Sequence, residues 1–203
     1  MKKNVIVFIC SLFCICLLTS CFSTNAQTSA FIVGDKAPDF NGSDINGKPF
    51  SLSKELSQNP VIVFFYRGQW CPYCNKQMKD LQDSIKFLTK LGYKVVAISP
   101  ETPENAQITV QKTGASFTIL SDSGYHIMSL FHNLVDMNKD IEKYKGYKVD
   151  LVANNNNTNV QVPVPAVYVI NKQGIFDYIF FNPNFRERES VHHLIELLHK
   201  KSK

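Results

Sequence analysis

The sequence predicts an α/β domain: a central mixed β-sheet flanked by helices, with an N-terminal hairpin extension. Three observations carry this. Val61 to Tyr66 is a short, continuously apolar run of β-branched and aromatic residues, the pattern of a strand buried on both faces. From Pro72 to Leu88 the apolar residues recur at helical spacing, with Met78, Leu81, Ile85 and Leu88 three and four apart. Tyr93 to Ser99 is a second buried strand, which makes a βαβ unit with parallel strands and a right-handed crossover. Late in the chain Ala166 to Ile170, a turn at Asn171-Lys172-Gln173-Gly174 and Ile175 to Phe181 read as a hairpin, so the sheet is mixed.

The remaining elements follow in order. Lys2 and Lys3 precede an apolar run of 14 residues, Val5 to Leu18, which fits a signal peptide and is short for a membrane span. Leu18-Thr19-Ser20-Cys21 resembles the lipobox of bacterial lipoproteins, a family in which Cys21 would carry the lipid. A competing cut near Asn25-Ala26-Gln27 would give a soluble secreted form. The expected organisation is a signal peptide at 1–21, a small polar tether at 22–30 and one domain at 31–203. The expected location is the envelope of a bacterium, facing the periplasm. Membrane contact would come only through the N-terminal lipid or signal.

Within the domain, Ile45-Asn46-Gly47-Lys48 carries an Asn-Gly turn before Pro49-Phe50-Ser51-Leu52 and predicts the hairpin. Gly92 ends the helix that starts at Pro72. Residues 103–113 predict a helix, Phe117 to Leu120 a strand, and Tyr125 to Leu134 another helix. Residues 136–162 have no clear period, and Asn154-Asn155-Asn156-Asn157 predicts an exposed loop. A last amphipathic helix is expected from about Arg186 to Lys200, with Val191, Leu194, Ile195, Leu197 and Leu198 on its apolar side.

Composition is that of an ordinary globular chain, 44% hydrophobic and 12% aromatic, with a formal charge of +5. No basic cluster with interleaved aromatics points to nucleic acid. Six cysteines are present, but Cys10, Cys14 and Cys16 lie in the export segment and Cys21 at its end. Cys71 and Cys74 then remain as the thiols of the mature domain. A lone C-x-x-C closes too small a ring to be a useful staple, and in an oxidising compartment it reads as a redox pair. It also sits where a strand ends and a helix begins. A helix N-terminus stabilises a thiolate, and the thiolate is the reactive species. Zinc would need further ligands that the sequence does not supply. A Cu(I) site built with His126 or His132 is the alternative from another functional class.

Further residues narrow the reading. The order of elements around Cys71 and Cys74 looks like the thioredoxin fold. Gly34-Asp35-Lys36-Ala37-Pro38-Asp39-Phe40 resembles the opening of the alkyl hydroperoxide reductase and thiol-specific antioxidant family. Phe65-Tyr66-Arg67-Gly68-Gln69-Trp70-Cys71-Pro72-Tyr73-Cys74, Ala97-Ile98-Ser99-Pro100 and Pro163-Val164-Pro165-Ala166 together resemble a peroxiredoxin-like branch of that family. In that family a Tyr-Pro, a Thr and the peroxidatic Cys share one segment, with the Cys eight residues after the Tyr. Cys74 holds the Cys position, Cys71 replaces the Thr and Arg67 replaces the Pro.

The resemblance implies a thiol peroxidase. A thiolate would attack hydrogen peroxide or an alkyl hydroperoxide, and a Cys71–Cys74 disulfide would close the half-cycle. No organic cofactor is needed, and a thioredoxin-like thiol donor would restore the dithiol. Thiol–disulfide exchange with envelope proteins is the alternative use of the same sulfurs. Cys71 is expected to be the exposed thiol that attacks disulfides; which sulfur meets peroxide first stays open. Pro72-Tyr73 between the cysteines, the glutaredoxin pair, suggests a potential on the order of −200 mV. Trp70 would form an apolar collar, and Arg67 would either place charge near the thiolate or face solvent. Pro165 would lie against the pair after a cis Val164–Pro165 bond. Glu101, after Ser99-Pro100, is expected at the surface, with a role in proton transfer as the alternative.

Overall fold

The computed structural model describes residues 28–201. The signal peptide, Cys21 and residues 22–27 of the tether lie outside the described residues.

The predicted N-terminal hairpin forms from β1 (Asn41–Ser43) and β2 (Pro49–Ser51), paired antiparallel. Its turn places Gly47 at φ +79, a left-handed conformation open to glycine at no steric cost. A short helix α1 (Leu52–Leu56) leads to β3 (Val61–Phe65), buried along its whole length. Then come α2 (Pro72–Lys90), β4 (Lys94–Ser99), α3 (Pro103–Thr113) and β5 (Thr118–Ser121). α3 has the boundaries its sequence predicts, because Pro103 opens it, Thr102 caps it and Gly114 ends it at φ +72.

The next stretch departs from expectation. α4 covers only His126–Leu130, not Tyr125 to Leu134. Tyr125 sits at φ +59 and His132 at φ +49, so neither can be helical. Asp122 accepts the N–H groups of Ile127 and Met128 and fixes the start. After β6 (Val135–Asp136), residues 138–157 hold two short helices, α5 (Ile141–Gly146) and α6 (Leu151–Asn155). The asparagine tract is therefore not an exposed loop. Asn154 and Asn155 are buried, and Asn156 ends α6 at φ +50. β7 (Gln161–Val162), β8 (Ala166–Ile170) and β9 (Phe176–Phe181) follow. The C-terminal helix α7 (Val191–Lys201) starts five residues later than expected. The Ser190 hydroxyl accepts the N–H of His193, an N-cap bond that leaves residues 182–190 as a loop.

The sheet runs β5–β4–β3–β8–β9. β3 pairs parallel with β4 and antiparallel with β8, so it is mixed as predicted. Alternation along β3 splits the core in two. Ile62, Phe64 and Tyr66 pack with Met78, Leu81 and Leu88 of α2 and with Leu194 and Leu198 of α7. Val61, Val63 and Phe65 face Phe40, Phe131, Tyr168 and Phe176 on the other side. Each such side chain contributes about 1.5–3 kcal/mol on burial. A third, small cluster of Met137, Leu151, Val160 and Val162 packs against Trp70 and Tyr144. It docks the 135–162 segment onto the loop before α2. No helix among the described residues is long and apolar enough to cross a membrane.

Candidate active site

Parallel β3 ends in the core and the chain turns at once into α2, so the C-x-x-C sits at the C-terminal edge of the sheet. Cys71 is the N-cap residue of α2 (φ −89, ψ 111), and Pro72 occupies the first helical position, where its missing N–H removes no helix bond. Cys74 lies in the first turn. Both cysteines are free thiols and both are buried, at 1% and 0% exposure. Cys71 is therefore not the exposed thiol the sequence suggests. The loop 182–190 and the 135–162 segment cover it, and neither cover is visible in the local pattern.

The two sulfurs are not equivalent. The Cys74 side chain hydrogen-bonds the Cys71 sulfur. That bond, the Cys74 backbone and the charges of Arg188 and Arg67 outweigh burial and bring the Cys71 thiol down to about 6. Burial and the neighbouring Cys71 sulfur push Cys74 well up. Cys71 is thus the more acidic thiol of the pair, and Cys74 the one that burial keeps protonated. The Cys74 sulfur also accepts the backbone N–H of Arg67 at 3.4 Å.

Two arginines frame the pair. Arg67 is not a solvated loop residue, being 5% exposed. Its guanidinium donates to Tyr144 Oη at 3.0 Å. It also lies 4.7 Å from the Phe185 ring centroid and 5.0 Å from that of Trp70, within cation–π range. Arg188 is the residue the sequence does not reveal. Its Nη2 lies 3.3 Å from Cys74 Sγ and 3.7 Å from Cys71 Sγ. Its Nε and Nη1 are buried without a hydrogen-bond partner. The expected helix from Arg186 would have put this side chain on a solvated face; the loop turns it onto the sulfurs instead.

Cys71 opens on a cleft of about 330 Å³. Trp70, Tyr73, Tyr144, Tyr147 and Phe185 wall it, and Arg67 and Arg186 supply its charge. Trp70 meets Tyr144 edge-on at 5.2 Å and forms the expected collar. Cys71 lines this cleft, whereas Cys74 is packed behind it in the core.

Pro165 lines a second cleft that shares Arg67, Tyr144 and Phe185 with the first. The Val164–Pro165 bond is trans, since no cis peptide occurs among the described residues. Pro165 enters β8 where its missing N–H breaks no ladder bond. Asn133 Nδ2 holds the Val164 carbonyl at 3.1 Å, and the trans form is favoured by about 0.5–1 kcal/mol.

Glu101 is fully buried rather than on the surface. Its Oε1 accepts the N–H of Gln69 at 2.6 Å and the amide of Asn154 at 3.1 Å. Its Oε2 accepts the hydroxyl of Ser99 at 3.3 Å. Burial lifts its carboxyl to about 7 despite these bonds. Gly68, at φ +141, leaves the space the carboxyl occupies, since a Cβ there would lie 2.8 Å from Oε1.

The copper reading needs a third ligand near the sulfurs. No group of three or more His, Cys, Asp or Glu suited to a metal occurs among the described residues. The group against the sulfurs is the cation of Arg188, which repels a metal ion.

Comparison with known proteins finds relatives of this chain. A family model described as AhpC/TSA family matches residues 33–179. The chloroplastic peroxiredoxin Q of Populus jackii is 32% identical over 165 residues, covering 81% of this chain and 67% of the relative. A putative peroxiredoxin of Mycobacterium tuberculosis is 35% identical over 103 residues, covering 51% of this chain and 65% of that protein. Among solved structures, peroxidoxin BcpB of M. tuberculosis superposes with a TM-score of 0.61 at 19% identity, covering 84% of this chain and 92% of its own. Xanthomonas campestris peroxiredoxin Q gives 0.63 at 15%, covering 86% and 99%.

Proposed function

Since the chain belongs to the AhpC/TSA family, we propose that it is a thiol peroxidase whose Cys71 and Cys74 turn over as a dithiol/disulfide pair. The observation that carries this reading is the Cys71 sulfur lining the aromatic cleft, with Cys74 behind it and Arg188 Nη2 3.7 Å and 3.3 Å from the two sulfurs. The Cys71 thiolate attacks one oxygen of a hydroperoxide. The O–O bond breaks, Cys71 becomes a sulfenic acid, and the departing alkoxide or hydroxide takes a proton. Cys74 then attacks the Cys71 sulfur, a disulfide forms and water leaves. An external dithiol, thioredoxin-like in chemistry, reduces the disulfide and is itself oxidised.

Hydrogen peroxide and alkyl hydroperoxides both suit the cleft, which is small and mostly apolar. The Arg67 and Arg186 guanidiniums line this cleft, and positive charge there favours a departing oxygen that gains negative charge. The export segment at 1–21 supports an envelope location, with Cys21 as the lipid attachment. The electron donor would then be a thiol carrier outside the cytoplasm.

The test is peroxide consumption by the reduced protein, with thiols counted in the same sample. Loss of two thiols per hydrogen peroxide is expected. Cys74→Ser should react once and stop at the sulfenic acid, and Cys71→Ser should not react. Thiols that survive peroxide but exchange readily with a protein disulfide would replace the peroxidase reading with the exchange reading.

A further inference from the structure

We infer that Glu101 is the proton acceptor for Cys74 when the disulfide forms, and returns that proton to Cys74 when the disulfide is reduced. The inference rests on the reading that Cys71 attacks and Cys74 resolves. Cys74 must lose its proton to become a nucleophile, yet its sulfur is fully buried and its thiol is held well above the ordinary range. Bulk water cannot take the proton directly.

Glu101 is the carboxyl placed to take it. It is fully buried and is not among the residues lining the cleft. Arg67 N–H binds Cys74 Sγ and Gln69 N–H binds Glu101 Oε1, so one short loop holds sulfur and carboxyl together across Gly68. Every neighbouring element turns a polar group to the carboxyl. Gln69 and Asn154 donate to Oε1, and Ser99 of β4 and Thr109 of α3 donate to Oε2. These donors hold the ionised form that receives a proton. Among the described residues no Lys, Arg or His forms an ion pair with it; Lys112 binds the carbonyl of Gln69 instead. The titratable groups facing Glu101 are Cys74, whose charge raises the Glu101 carboxyl, and Tyr66, which feels the charge of Glu101. The Tyr66 hydroxyl is buried beside Thr109 and Ser99, which act to lower its pKa. Burial, then Glu101, then more weakly Cys74, hold it protonated, so it cannot be the base. A carboxyl titrating at about 7 is matched to a proton it must both take and give near neutrality.

The balance is complete. Cys74–SH gives its proton to Glu101, and the resulting thiolate attacks Cys71–SOH. The S–O bond breaks, and hydroxide leaves as water with a proton from solvent. On reduction a donor thiolate attacks Cys71, the Cys71–Cys74 bond breaks and Glu101 protonates the Cys74 thiolate; the donor's second thiol then attacks its own sulfur in the mixed disulfide, releasing the Cys71 thiolate and leaving the donor as a disulfide.

The experiment uses the reduced full-length chain and Glu101→Gln, each mixed with hydrogen peroxide over pH 5.5–9 in roughly half-unit steps. Sulfenic acid is trapped by a dione reagent and disulfide is counted as lost thiol. Glu101→Gln should form sulfenic acid at the wild-type rate and resolve it on the order of 100-fold more slowly, without the rise around neutral pH. Wild-type resolution rates and pH profile in Glu101→Gln would overturn the inference. A small aromatic disulfide, which forms a mixed disulfide on Cys71, runs in parallel. If peroxide fails to react but ring closure from the mixed disulfide slows in Glu101→Gln, the peroxidase reading falls and this inference stands. Infrared titration of the reduced wild type needs no variant. The protonated-carboxyl band should vanish near neutral pH, and a carboxyl already ionised at about pH 5 overturns the inference.

Discussion

Arg188 Nη2 lies 3.3 Å from Cys74 Sγ, delivered by a loop outside the segment that the family model matches. No carboxylate pairs with this guanidinium among the described residues, so the thiolate is its countercharge. Arg188→Ala should raise the Cys71 pKa by on the order of one unit, the usual effect of losing an opposite charge at this range. The pH dependence of alkylation by iodoacetamide reads it directly. Arg188→Lys should restore part of the shift, because a point charge still reaches the sulfur but the planar fork does not. An unchanged profile in Arg188→Ala would show that Cys74 and Arg67 set the Cys71 thiol without Arg188.

How much of this could be read from the chain depends on where the information sits. β3 and α2 were legible because one is apolar throughout and the other has a clean helical period. α3 was legible because Pro103 and Gly114 mark its ends. The 138–157 segment was not. Its helices span only five or six residues, too short for a period to show. Asn154 and Asn155 read as surface because asparagine is polar, yet here they supply hydrogen bonds to buried groups. Arg188 was hidden for a related reason. Arg186 to Glu189 alternates in charge like a solvated helix edge, and only the Ser190 cap reveals the loop. The cysteine pair itself was plain from its spacing; its burial was not, because the cover comes from distant parts of the chain.

Asn154 ties α6 to the active-site loop. Its amide donates to Glu101, its Oδ1 accepts from Gln69, and its carbonyl accepts from Thr102. Asn154→Ala removes the two side-chain bonds and should cost about 1–3 kcal/mol. That corresponds to a fall in Tm of roughly 2–4 °C per kcal/mol for a chain of this size. Resolution of the sulfenic acid should change its pH profile in the same variant, since one donor to the carboxyl is lost. Calorimetry and the thiol count check the two effects separately.

Gly68 separates strain from crowding. At φ +141 an added Cβ would meet Trp70 Nε1 at 2.6 Å and Glu101 Oε1 at 2.8 Å. Gly92 also has a positive φ, +84, but nothing lies within 4 Å of its virtual Cβ. Gly92→Ala should therefore cost only the backbone term, about 1 kcal/mol. Gly68→Ala should cost clearly more, about 2–4 kcal/mol once the displaced carboxyl and indole are included. It should also slow the thiol cycle, because the loop that holds both Cys74 and Glu101 must move. Equal urea midpoints for the two variants would refute the packing of Glu101 against this glycine.

Cys71 and Glu101 pull the stability of the reduced protein in opposite directions as pH rises. Cys71 is lowered from 9.0 to about 6. Between those values the unfolded chain holds a proton that the folded one has released, so stability rises with pH. This contribution is present in full above about 9 and is lost as pH falls through about 6. Glu101 is raised from 4.5 to about 7. Between those values the folded chain holds the extra proton, so stability falls as pH rises. The ceiling for either group is about 1.4 kcal/mol per pH unit. The reduced wild type should thus lose stability from about pH 4.5 to 6, change little near 6–7 where the slopes oppose, and gain from about 7 to 9. Cys71→Ser should keep the first limb and lack the last. Glu101→Gln should show the reverse. Oxidation to the disulfide removes the thiol, so the oxidised wild type should follow the Cys71→Ser slope. Urea unfolding across this range separates all four, and a rising alkaline limb that survives in Cys71→Ser would assign it to another group.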